Sequence, residues 1–141
     1  MNADLSILDL VPITEGSTAA EAIERSMRGA ELADDLGYAR YWFAEHHNTT
    51  SLASSATALL IGRAASRTSR IRVGAGGVMV PNHAPLVIAE NYGTLANMFG
   101  DRIDLGLGRA PGTDQMTAQM LNRTSADPQS FANDRDRESV V

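Results

Sequence analysis

Three short stretches carry the groups that could do chemistry. The first is Glu45, His46 and His47, a carboxylate beside two imidazoles at the end of FAEHH. Imidazole titrates near neutrality and suits acid–base work. Adjacent residues on an extended chain point to opposite faces, so both histidines do not readily serve one site; one is a candidate acid–base group while its neighbour packs or caps. A metal reading would recruit His83 too, but the spacing matches no common ligand pattern and no metal is expected. The second stretch is IRVGAGGVMVPNHAP, Ile71 to Pro85, where Ala75 leads into the pair Gly76 and Gly77. Glycine reaches backbone conformations closed to other residues, or lets a flat ligand lie on the peptide plane. The apolar Val78, Met79 and Val80 that follow imply a buried chain, and unusual backbone in a buried region is commonly kept for function. The third is LGLGRAPG, Leu105 to Gly112, which delivers Arg109. A guanidinium donates two parallel hydrogen bonds and so suits phosphate. As a dinucleotide fingerprint, Gly106, Gly108 and Gly112 have the wrong last spacing and Pro111 stands where a helix should begin, so that reading is rejected.

Each stretch follows a run that reads as a strand. Leu5 to Val11, closed by Pro12, is the first; Tyr38 to Ala44 is the second; the third opens at Ile71 and is expected to end at the glycines; Ile103 to Leu107 is the fourth. Between them lie helical patterns. Thr18 and Glu21 have capping-box spacing at the head of a helix running to Leu36, with Ala19, Ala22, Ile23, Met27, Ala30 and Ala33 on one face and Gly37 as its stop. Ser54 or Ser55 is expected to cap a second helix with Ala56, Leu59, Leu60 and Ala64 inward. Pro85 suits the first turn of a third, whose stripe is Ile88, Tyr92, Leu95 and Phe99. A weak helical stretch covers Met116 to Leu121.

Strand centres near Ile7, Trp42, Val73 and Leu105 lie about 30 to 35 residues apart, each gap holding one helix. Strands joined that way are parallel. The fold class is therefore α/β: about four βα units, forming either a small doubly wound sheet or half of a TIM barrel, since eight such units need about 250 residues. Residues 1–121 form the globular part and 122–141 a polar, weakly ordered tail. In such architectures ligands bind at the C-terminal ends of the strands, where all three stretches fall.

Composition narrows the partners. Apolar residues make up 43% of the 141 and the net charge is -5, so nucleic acid is not an expected partner. No apolar run approaches the roughly 20 residues of a membrane helix. Cysteine is absent, which excludes disulfides and thiolate metal sites, and no signal peptide opens the sequence, so a cytoplasmic location is expected.

Together FAEHH, IRVGAGGVMVPNHAP and DRIDLGLGRAPG resemble the N-terminal half of the luciferase-like flavin monooxygenases, TIM-barrel proteins that include the bacterial luciferase subunits and F420-dependent reductases. The resemblance runs from Leu5 to Phe131. It implies reduced FMN, supplied by a separate flavin reductase, as cofactor, with F420 the less favoured choice because of the EHH motif. It implies O2 and a small organic substrate, such as an aldehyde or alkane, as co-reactants. His46 is then the residue of the oxygen chemistry, with Glu45 or a backbone group fixing its tautomer. Gly76 and Gly77, beside Ala75, match a non-prolyl cis peptide that packs against the flavin ring, Val78 and Met79 keep the pocket dry, and Arg109 holds the FMN phosphate. A homodimer through the first helices is also implied, and a chain with half a barrel is expected to be inactive alone. A noncatalytic flavin-binding or dimerising relative is the alternative.

Overall fold

A computed structural model describes residues 4–110 and 113–121. The polar tail from Asn122 onward, with Pro111 and Gly112, lies outside the described residues. Four strands, β1 (Ser6–Asp9), β2 (Arg40–Phe43), β3 (Arg72–Met79) and β4 (Ile103–Gly108), alternate with helices α1 (Ala19–Asp35), α2 (Thr57–Arg67), α3 (Pro85–Phe99) and α4 (Gln115–Met120). The strands form one parallel sheet in the order β1-β2-β3-β4, with Ile7 beside Tyr41, Tyr41 beside Val73 and Val73 beside Ile103. This is the expected run of βα units, and β1 and β4 form its edges. Among the described residues no helix is long and apolar enough to cross a membrane.

The first helix forms as its sequence dictates. Thr18 accepts from the Glu21 N–H, while the Glu21 carboxylate accepts from the Thr18 N–H at 2.8 Å. Ala22, Met27, Ala30 and Ala33 are buried, and Gly37 follows the helix with a φ of 77°. The second helix departs from expectation. Neither serine caps it: it starts at Thr57 behind Ala56, which makes no side-chain cap bond. Its buried stripe is Thr57, Leu60, Ile61, Ala64 and Ala65, which leaves Leu59 76% exposed. The stripe advances one position, about 100° around the helix, because Ile61 fills the inward place assigned to Leu59. Ser54 is instead fully buried in the loop before α2, where its carbonyl accepts from the His46 N–H at 3.4 Å.

β1 is shorter than its apolar run because the chain turns at Val11, whose φ is 52° and whose N–H donates to Asp9 Oδ1 at 2.7 Å. β3, expected to end at the glycines, continues through them to Met79. The helices cover one sheet face, where Tyr41, Phe43, Val73 and Ala75 sit in a continuous core with Met27, Ile61, Ala64, Ile88 and Leu95. Two polar clamps close this layer. Arg67 bridges α2 to Glu24 and Glu31 of α1. Asp34, at the end of α1, accepts from the N–H groups of Ser69, Arg70 and Ile71 just before β3. Burial raises the Asp34 pKa, but these donors outweigh it and hold the carboxyl below its ordinary range.

Replacing Asp34 orphans buried N–H groups that lead into the central strand. Asp34→Ala is therefore expected to lower stability by about 3 kcal/mol in urea unfolding. Because the folded-state pKa is depressed, the stabilisation is complete above the ordinary carboxylate value and fades as pH falls through the lower folded one. The difference between parent and variant should accordingly narrow below about pH 4; a difference that widened there would contradict the assignment.

Candidate functional site

Because the strands are parallel, their C-terminal ends share one edge. The register sets Phe43 beside Ala75, Gly76 beside Gly106 and Met79 beside Gly108. Glu45 to His47, the glycine pair and Arg109 thus arrive at the same rim from β2, β3 and β4.

The floor of this rim is backbone. Gly76 and Gly77 are joined by a cis peptide, and the β3–β4 register shifts between Gly76 and Val78. A Cβ on Gly77 would lie 2.7 Å from the Gly106 carbonyl oxygen and 3.0 Å from the Gly108 nitrogen, so no side chain fits there. Gly76 is exposed, bordered by Leu8 and Trp42, each of which would stand 3.2 to 3.3 Å from an added Cβ. The Trp42 ring extends along the same face over Gly74 and Gly106. An open, flat strip of main chain beside an indole results. Ala75 faces the other way, fully buried in the helix-side core, so only its backbone is available to a ligand. Val78 is likewise core, and of the two residues expected to dry the pocket only Met79 is partly exposed.

Glu45 does not orient His46. Its Oε1 lies 2.6 Å from both His47 Nε2 and His83 Nε2, while its Oε2 accepts from the Met79 N–H at 3.2 Å. The alternation of β2 explains this, since Glu45 continues the buried series Tyr41, Phe43 toward the helices. As a single oxygen accepts twice, both imidazoles present Nε2–H to it. Burial raises the Glu45 pKa, yet the bonds from His83 and His47 and the Met79 N–H prevail, and the carboxyl stays below its usual range. His83, found in sequence only through the metal reading, is thereby part of the Glu45 cluster; the signal was a histidine soon after the β3 end.

His46 is left apart, with its Nδ1 buried and without a hydrogen-bond partner among the described residues. Arg109, directly after β4, is exposed and makes no ion pair or hydrogen bond among them. One contact was not foreseen. Asn48, at a φ of 49°, donates to Thr117 Oγ1 at 2.7 Å and ties the loop after β2 to α4.

The model of the luciferase-like monooxygenase family matches residues 4–130, and the chain belongs to that family. It is 56% identical over 130 residues to a luciferase-like monooxygenase of Escherichia coli strain K12, covering 92% of this chain and 39% of that protein. The crystal structure of apo-MsnO8 superposes with a TM-score of 0.92 at 38% identity, over 98% of this chain and 41% of the other. The oxygenating constituent of 3,6-diketocamphane monooxygenase from Pseudomonas putida, solved in complex with FMN, shares the fold at a TM-score of 0.81 and 19% identity, over 98% and 38%. The chain therefore spans about two fifths of the length of these relatives, and its four βα units are part of a TIM barrel.

The double hydrogen bond to a buried carboxylate generates a direct test. Glu45→Ala strands both imidazoles and the Met79 N–H, and is expected to cost about 3 kcal/mol or more in chemical denaturation. A cost below about 0.5 kcal/mol, the level of an ordinary surface change, would show that the cluster does not form.

Proposed function

We propose that this chain is the N-terminal part of an FMN-dependent monooxygenase that uses O2 on a small organic substrate such as an aldehyde or alkane. The observation that carries the reading is the Gly76–Gly77 backbone at the C-terminal rim, exposed at Gly76 and half-buried at Gly77. A flat ring system can lie on it only because no Cβ stands there, and the two neighbouring strand ends bring a cation and an imidazole to the same edge.

The residues fit the cofactor. The glycine strip, with Trp42 beside it, would hold the isoalloxazine ring. Arg109, with no partner among the described residues, would hold the phosphate through its two-pronged donor set. Reduced FMN, when bound, supplies the electrons with which O2 is activated. His46 would be the proton-handling group: it stands at the same rim, and its Nδ1 is buried with no hydrogen-bond partner among the described residues, which leaves that nitrogen uncommitted. The Glu45 cluster positions the loop rather than reacting. The FMN complex of the fold relative supports FMN as cofactor. A separate reductase would supply it in reduced form. Self-association is supported by Leu59, Leu86 and Val87, exposed on α2 and α3.

In a chain carrying the complete barrel, His46→Ala is expected to leave FMN affinity nearly unchanged and to remove aerobic turnover, read as substrate oxidised per reduced FMN consumed. Unchanged turnover would sink the assignment, and flavin retention without turnover in the parent would identify a noncatalytic relative. Arg109→Ala should weaken FMN by about 1 to 3 kcal/mol, the scale of a charge-assisted hydrogen bond, in fluorescence titration. Equal affinities would place the phosphate elsewhere, and tight F420 binding in place of FMN would reassign the cofactor.

A further inference from the structure

We propose that Glu45 Oε1, His47 Nε2 and His83 Nε2 form a binding site for a divalent transition metal of the zinc class, clamping the loop after β3 to the end of β2. The site stands independently of the flavin reading. The three donor atoms lie within 4.8 Å of one another, although His47 and His83 are 36 positions apart in the sequence. They join two segments that are neither helix nor strand, so the imidazoles can adjust. Their 2.6 Å contacts are hydrogen bonds while each Nε2 carries its proton; the same atoms become ligands when that proton sits on Nδ1 or has left. Zinc–ligand lengths of about 2.0 to 2.2 Å put tetrahedral donors about 3.3 Å apart. Each imidazole need only draw back by less than about 1 Å.

Three further features suit a cation. The carboxylate is 1% exposed and the imidazoles 12% and 30%, so the charge would sit in a low-dielectric pocket with its counter-charge built in. Glu45 Oε2 is fixed by the Met79 N–H, the kind of outer hydrogen bond that holds a ligating oxygen in place. Glu45 and His83 also line a cavity of about 270 Å3, bounded by Thr57, Val78, Ile88 and Tyr92, which gives an entry path and room for a fourth, exchangeable ligand. Two imidazoles and one carboxylate favour zinc or cobalt over magnesium or calcium. His46, which the sequence grouped with this metal reading, is not among the donors.

The test is titration of the tag-free 141-residue chain, first stripped with chelator, with Zn2+ by calorimetry and with Co2+ by visible absorption. One equivalent per chain is expected, with Mg2+ giving no saturable heat. His83→Gln keeps an N–H for the Glu45 carboxylate but ligates poorly, and should weaken Zn2+ at least 10-fold; His47→Ala should do likewise. Imidazole nitrogen resonances of His47 and His83, but not of His46, should move on adding Zn2+ to the parent chain, a readout that needs no variant. Absence of saturable uptake would overturn the proposal, as would uptake untouched by both substitutions, or resonance shifts at other histidines only.

Discussion

The close approach of β3 and β4 at their C-terminal ends governs the rest of the rim. Gly77 packs against Gly106 and Gly108 so tightly that a single methyl group would force the strands apart. Without that approach the register shift after Gly76 could not be accommodated, and the strip of main chain beside Trp42 would be covered by side chains. The glycines therefore give up the stabilisation that side chains would add to a strand in exchange for a flat surface. What offsets this cost lies on the opposite face. Val73, Ala75, Val78 and Val80 are all buried beneath the helices, and Asp34 and Arg102 fasten the turn that leads into β3.

Alternation along β2 then divides the work between the two faces. Tyr41 and Phe43 enter the core, and Glu45 continues the series into a cluster with His47 and His83. Arg40 and Trp42 belong to the open face, where Arg40 and Arg72 share Asp104 and the indole runs over the glycines. A single strand thus feeds both a polar cluster behind the sheet and a candidate ligand surface in front of it.

Much of this was legible in the sequence, for identifiable reasons. The βα order followed from short runs that read as strands alternating with helical patterns, and the capping box at Thr18 and Glu21 is a local pattern that needs no tertiary context. The three strand-end stretches converge because parallel strands leave no other arrangement. Packing decided what was misjudged. Ile61 displaced Leu59 from the core, and the glycines lie within β3 rather than at its end, because β4 carries glycines opposite them. The partner of Glu45 could not be read from spacing at all. Strand alternation already separates residues 45 and 46, but only the tertiary fold brings His83 back across 38 positions to the same oxygen.

Under the proposed function, the C-terminal strand ends form one flavin surface. Amide chemical-shift mapping of the 15N-labelled chain during FMN titration tests it most directly. Saturable shifts are expected to concentrate at Gly76 to Met79, at His46, and at Gly108 and Arg109. Shifts confined to the opposite strand ends, around Arg40, Arg72 and Ile103, or no shift at saturating FMN, would contradict it.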